Sequence, residues 1–251
     1  MSRRKVAWTC SPIPVISVRS LGSSSRGNCH VVSITDEYNI MLDAGIPLKG
    51  LWKKGLAIRS IKAVFITHSH GDHSKSVEEL LKLGVPCYML SETAKELGVA
   101  SNHYVKLLPE DGFVRFEGET RWIVRAFRLE HDVPCVGFYL CAGNERLVYI
   151  TDTYYCRYTF KDLTHILVEA NYSVDILNQR YMTSEMHSKM RKRLLHSHFS
   201  IDNAIEWLLA NDLSKVKEIR LLHLSDNNSD ADLFIRKVEN ATGKYVTVAD
   251  A

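Results

Sequence analysis

No stretch of the 251-residue chain is apolar for the length of a membrane span, so a transmembrane role is not expected. Nor is a signal peptide expected. Arg3, Arg4 and Lys5 are followed by Pro12 and Pro14, not by a clean apolar run and a small-residue cleavage site. The six cysteines (Cys10, Cys29, Cys87, Cys135, Cys141 and Cys156) form no C-x-x-C pair. That argues against cysteine-based metal or redox motifs and for reduced, partly buried thiols. Charge of one sign is scarce too. A formal net charge of +3 is too small for a dedicated nucleic-acid coat, although local basic patches are compatible with it. None of the 13 glycines and 6 prolines falls in residues 144–242, which excludes a long flexible arm there. With 45% hydrophobic and 24% charged residues, the chain reads as one cytoplasmic globular domain over residues 1–251.

Periodicity places the elements. Residues 13–21 read as a strand that runs into the flexible turn 22–28. Runs at 31–34 and 40–42 flank the turn-prone Asp36-Glu37-Tyr38-Asn39, and runs at 137–141 and 147–150 flank Gly143-Asn144. Ile201, Ala204, Ile205, Leu208 and Leu209 mark an amphipathic helix with Ser200 as its cap. A last helix is expected from about Asp230 to Thr242, with Gly243 as its stop. Strands in two sets, with helices between and after them, suit two face-to-face sheets with helices outside.

Chemistry concentrates in Thr67-His68-Ser69-His70-Gly71-Asp72-His73. Neutral imidazole is a common ligand for transition metals, and here three imidazoles and a carboxylate fall within six positions. Ala63-Val64-Phe65-Ile66 before them reads as a buried strand, and Val77, Leu80 and Leu81 after them have helical spacing. At such a strand-to-helix turn, His68 and His70 can chelate one ion while Asp72 and His73 turn toward a second. One loop cannot saturate two ions. Further donors are expected at the ends of other apolar strands, where His131, Asp152 and His223 stand.

The H-x-H-x-D-H stretch resembles the signature of the metallo-β-lactamase superfamily. The resemblance implies an α/β fold, the αββα four-layer sandwich. It also implies two divalent cations, one held by His68, His70 and His131, the other by Asp72, His73 and His223, with Asp152 bridging. Asp43, in Leu42-Asp43-Ala44-Gly45, matches the family's first motif and would support the cluster from behind. The all-nitrogen-and-oxygen donor set suits zinc and leaves manganese or iron open. Two such ions lower the pKa of water and stabilise a developing oxyanion, so hydrolysis is the expected chemistry.

Leu167-Val168-Glu169-Ala170-Asn171 resembles the Glu-Ala-Thr segment of ribonuclease Z proteins, and His196-Ser197-His198-Phe199-Ser200 resembles their second His-Ser segment. Carried over, Glu169 orients a histidine that protonates the leaving oxygen. His198 is preferred to His196 because it directly precedes the Ser200-capped helix. Asp72, Glu169 and His198 are thus the residues expected to carry catalysis. The segments 20–29 and 222–230 look like the opening and closing motifs of the YycJ-type branch, which contains DNA exonucleases. Phage anti-Pycsar phosphodiesterases, which open cyclic pyrimidine mononucleotides, are relatives of the same kind. The expected substrate is a nucleotide or nucleic-acid phosphodiester. Cyclic mononucleotides stand ahead of a DNA end, and a homodimer is implied by the resemblance. The tRNA-clamping arm of ribonuclease Z is not evident. Lys189, Arg191, Lys192 and Arg193 could instead track a nucleic-acid backbone or simply form a solvated helix face. Tyr154 and Tyr155 could stack on a base or pack internally. A thioester hydrolase would tolerate loss of His198, and a non-catalytic binding module would tolerate loss of Asp152. His30, His103, His165 and His187 read as ordinary polar histidines.

Overall fold

The computed structural model describes residues 15–35, 38–108, 112–116, 121–183 and 187–249. The expected positions Arg3, Arg4, Lys5, Cys10, Pro12, Pro14, Asp36 and Glu37 lie outside the described residues.

Six strands form one sheet in chain order: β1 (Ser17–Gly22), β2 (Cys29–Thr35), β3 (Tyr38–Leu42), β4 (Ile61–Phe65), β5 (Cys87–Met89) and β6 (Val105–Leu107). Seven more form the second, again in chain order: β7 (Phe113–Phe116), β8 (Trp122–Leu129), β9 (Cys135–Ala142), β10 (Glu145–Ile150), β11 (His165–Glu169), β12 (Glu218–Leu222) and β13 (Val246–Val248). Each sheet begins with antiparallel hairpins and finishes with parallel strands; the change comes at β3–β4 in the first and at β10–β11 in the second. The halves thus share a plan without sharing a residue pattern. Helices α1 (Leu48–Lys53), α2 (Gly71–Ser74), α3 (Val77–Lys82) and α4 (Ser91–Glu96) belong to the first half of the chain. Helices α5 (Val174–Met182), α6 (Ser188–Ser197), α7 (Ile201–Leu209) and α8 (Ala231–Thr242) belong to the second.

Strand alternation sorts side chains into three apolar layers. On β3, Ile40 and Leu42 join the layer between the sheets, while Met41 faces the outer layer with Leu51 and Leu80. On β10, Leu147 and Tyr149 point inward, while Val148 and Ile150 pack outward with Ala204, Leu208 and Phe234. That is the αββα sandwich expected from the sequence. Caps fall at the expected places. Ser200 Oγ accepts from Asn203 N, Asp230 Oδ1 accepts from Leu233 N, and Gly243 takes the left-handed conformation at φ 65°. The buried face of α7 departs from expectation. Leu209 is exposed, whereas Trp207 is buried and donates from Nε1 to Tyr158 O at 2.8 Å. The indole needs a polar partner as well as cover, and the loop carrying Tyr158 supplies both. Cys29, Cys87, Cys135 and Cys156 are buried free thiols and Cys141 is partly buried, as expected.

Candidate metal centre

Every expected donor lies at or just past a strand end, on one rim of the sandwich. Asp43 follows β3, the His68–His73 turn follows β4, His131 follows β8, Asp152 follows β10 and His223 follows β12; Glu169 is the last residue of β11. Asp43, Asp152 and His223 have φ of 60°, 49° and 52°, in the left-handed region that non-glycine residues seldom adopt. The chain therefore reverses abruptly at each of these strand ends. Such strained conformations cluster where function requires a side chain to be aimed.

The imidazoles converge. His68 Nε2 lies 3.1 Å from His70 Nδ1, which in turn lies 3.3 Å from His131 Nε2. Asp152 Oδ2 is 3.4 Å from His68 Nε2 and 3.1 Å from His73 Nε2. Asp72 Oδ2 lies 3.7 Å from His73 Nε2 and 3.9 Å from His223 Nε2. Asp152 belongs to all three donor groupings: with His68, His70 and His131; with Asp72 and His73; and with Glu169, His198 and His223. His223 turns its Nε2 toward Asp72. Its Nδ1 is drawn to carboxylates, 2.6 Å from Asp152 Oδ1 and 3.3 Å from Glu169 Oε1.

Three of the rings are held from behind. His73 Nδ1 donates to Asp43 Oδ2 at 2.7 Å, His131 Nδ1 donates to Ser197 O at 3.2 Å, and His68 Nδ1 meets Thr67 Oγ1 at 2.9 Å. In each case the other ring nitrogen faces the cluster, the arrangement by which hydrogen bonds fix metal-binding imidazoles. Asp43 is itself held by Thr67 N and Oγ1 and by the Tyr149 hydroxyl. Such crowding of nitrogen and carboxylate oxygen atoms, most of them buried, suits a divalent cation: zinc, manganese or iron by donor chemistry.

Electrostatics follow from burial and pairing. Burial opposes the charge of Asp152, but His223 and His73 hold its carboxyl well below the usual range. Burial also opposes a charged His223, yet Asp152 and Glu169 push it up to about 10. Burial and the neighbouring His73 drive His68 well below its ordinary value.

Beside the cluster, His198 Nδ1 lies 2.6 Å from Glu169 Oε1, and Glu169 Oε2 accepts from Thr153 N and Phe199 N at 3.1 and 3.2 Å. Despite the burial of both, each favours the other's charged form, so the His198 pKa is raised and that of Glu169 lowered. His196 is exposed on α6. A cleft of about 690 Å³ opens over these groups, lined among others by His70, Asp72, His131, Asp152, His198 and His223.

Other residues at the site carried no earlier signal. Asn28 Nδ2 lies 2.9 Å from His73 Nε2, and Asp132 Oδ1 lies 3.0 Å from His131 Nε2. Asn171 reaches behind His223, donating from Nδ2 to its carbonyl at 2.8 Å. Only adjacency hinted at two of these, since Asp132 follows His131 and Asn28 closes the glycine–serine turn. Tyr154 and Tyr155 are exposed and do not line the cleft, although Thr153 before them is fully buried. His30 and His165, read as ordinary polar histidines, are buried.

A model described as "Metallo-beta-lactamase superfamily" matches residues 24–153. Anti-Pycsar protein Apyc1 of Bacillus phage BSP38 is 34% identical over 71 residues, 25% of this chain and 27% of that protein. Ribonuclease Z of Pseudomonas putida is 31% identical over 99 residues, 33% of this chain and 30% of that protein. The chain thus spans less than a third of the length of these curated relatives. Among solved structures, the metallo-beta-lactamase fold protein YhfI from Bacillus subtilis aligns with a TM-score of 0.70 at 14% identity, covering 94% of this chain and 97% of that one. That likeness is one of fold.

Proposed function

Because the chain belongs to the metallo-beta-lactamase superfamily, a family of hydrolases, we propose that it is a metal-dependent phosphodiesterase acting on nucleotide phosphodiester bonds. Cyclic mononucleotides such as cyclic CMP and cyclic UMP are its first substrates in this reading. The observation that carries it is the Glu169–His198 pair, 2.6 Å apart beside a cluster of imidazole and carboxylate donors. His68, His70 and His131 would hold one cation and Asp72, His73 and His223 another, with Asp152 shared between them. Zinc suits this donor set and manganese is compatible. When bound, the cations would offset phosphate charge and make water more acidic.

The chain's own residues supply the rest. Asp43 keeps the His73 ring turned toward the cluster, and the Ser197 carbonyl does the same for His131. Glu169, fixed by two backbone amides, holds the proton of His198 Nδ1 and leaves Nε2 to carry a proton toward the departing oxygen. An alkoxide leaves poorly without a proton, and a placed acid contributes on the order of 10²–10⁴ in rate. A thiolate would not need one, which favours a phosphodiester over a thioester.

A second reading, a nuclease acting at a DNA end, draws support from the basic run on α6, part of which lines the cleft. The two are separated by offering metal-loaded protein cyclic CMP, cyclic UMP, cyclic AMP and an end-labelled duplex. Turnover of the cyclic nucleotides is expected. Shortening of the duplex without it would put the nuclease first, and hydrolysis of neither would remove the phosphodiesterase reading.

A further inference from the structure

Helix geometry divides the basic run on α6. Met190, Arg193 and Leu194 line the cleft, and their i, i+3, i+4 spacing places them on one face. Lys189 and Lys192 do not line it. Arg191 donates to Asn178 Oδ1 at 2.8 Å and lies over the Tyr181 ring, so it is held on the side of α5.

Other charges around the cleft have partners. Asp226 pairs with Arg26 at 2.9 Å, His198 pairs with Glu169, and Arg180 donates to Asn228 Oδ1 at 2.8 Å. Arg193 is exposed and makes no salt bridge among the described residues. A cation that faces the cleft without a carboxylate is free to meet an anion that enters it.

Its place along the helix says which anion. His198 follows the C-terminal end of α6, its N–H bonded to Leu194 O at 3.1 Å. Arg193 precedes His198 by five residues, about 7.5 Å along the axis, and helical side chains lean further toward the N-terminus. The guanidinium is therefore set back from the proton donor, toward the N-terminal end of α6. Between them along the axis, Leu194 offers an apolar surface of the kind that packs against a sugar or a base, and Met190 lies one turn beyond Arg193.

We propose that Arg193 anchors a second phosphate subsite. It takes a phosphate one nucleoside beyond the scissile bond, on the side of the departing oxygen, while Leu194 packs against the intervening nucleoside. Guanidinium matches phosphate in a fork that a lysine cannot reproduce. The inference rests on the phosphodiesterase reading and extends it. A cyclic mononucleotide occupies only the metal end of the cleft, and a dinucleotide that carries the second phosphate binds tighter than one that lacks it.

The test uses phosphorothioate-linked dinucleotides that are unphosphorylated, 5′-phosphorylated or 3′-phosphorylated, titrated by calorimetry into the metal-loaded protein at fixed salt. One of the two phosphorylated forms is expected to bind about tenfold tighter than the unphosphorylated one. Arg193→Gln removes that preference, Arg193→Lys keeps part of it, and Lys192→Gln, which lies off the cleft, keeps all of it. Thermal unfolding of each variant checks that the fold is intact. Equal binding of the three dinucleotides, a preference that survives Arg193→Gln, or its equal loss in Lys192→Gln would overturn the proposal. Binding is read without turnover. A preference lost in Arg193→Gln, with no hydrolysis of the unmodified dinucleotides or of the cyclic nucleotides, would retire the phosphodiesterase reading and leave the subsite standing.

Discussion

Asp43 Oδ2 lies 2.7 Å from His73 Nδ1, and neither side chain is exposed to solvent. The same carboxylate accepts from Thr67 N at 2.8 Å and from the Tyr149 hydroxyl at 2.7 Å. Asp43→Asn keeps the shape and removes the charge that turns His73 toward the cluster. Metal affinity is expected to fall about 10–100-fold, as for other residues that orient a ligand from behind. Asp43→Ala goes further. It orphans buried donors at about 1–3 kcal/mol each, so thermal stability falls as well. Metal content after dialysis and unfolding midpoints separate the two effects.

The Glu169–His198 pair makes a sharper demand. If His198 delivers the proton to the departing oxygen, His198→Ala should cost about 10²–10⁴ in kcat with a nucleotide, whose alkoxide leaves poorly. With bis(p-nitrophenyl) phosphate, whose phenolate leaves without help, the loss should be far smaller. Glu169→Gln should follow the same order with a smaller loss. Equal losses on the two substrates would mean that His198 shapes the site without moving a proton.

Gly45 is placed by close approach. A Cβ there would fall 1.6 Å from the Asp72 carbonyl oxygen, while Gly45 N already donates to Asn28 O at 2.9 Å and Asn28 N to Asp72 O at 2.7 Å. Gly45→Ala must push the Asp72–His73 turn away from the rest of the cluster. A loss of about 1–3 kcal/mol or more in stability is expected, together with reduced metal stoichiometry measured by elemental analysis. Gly71, where a Cβ would meet nothing within 4 Å, is the matched control, and Gly71→Ala should leave metal content unchanged.

Much of this was legible in the sequence because its signals are local. Apolar runs bounded by turn residues expose β3, β4 and β10, and Ser200, Asp230 and Gly243 mark helix ends by their chemistry. His68, His70, Asp72 and His73 declare themselves by crowding. Partners that meet across the fold leave no such trace: Tyr149 and Asp43 are 106 positions apart, and Tyr149 reads as one more inward residue of an apolar strand. The left-handed backbone of Asp152 and His223 is equally silent, since neither residue type requires it. The burial of His30 is silent for the opposite reason. One histidine in a strand looks like any polar position until the second sheet covers it.

That burial makes His30 a probe of acid stability. Its Nδ1 meets Ser20 Oγ at 2.9 Å, its Nε2 has no hydrogen-bond partner among the described residues, and it is fully buried. Burial, then Arg220, His73 and His223, lower its pKa to about 3. In the unfolded chain the imidazole titrates near 6.5. Between these values the unfolded chain binds a proton that the native protein refuses. Stability from this residue is therefore complete above about pH 6.5 and drains away as pH falls toward 3. Denaturant midpoints of the wild type should drop over that window by more than those of His30→Asn, which cannot take up the proton. At pH 7.5 the variant is expected to be the less stable of the two, having lost the ring's packing against Tyr149, where the centroids are 5.4 Å apart. The gap between the two should narrow as the solution is acidified. Parallel pH profiles would show that His30 takes up its proton as readily in the folded protein as in the unfolded chain.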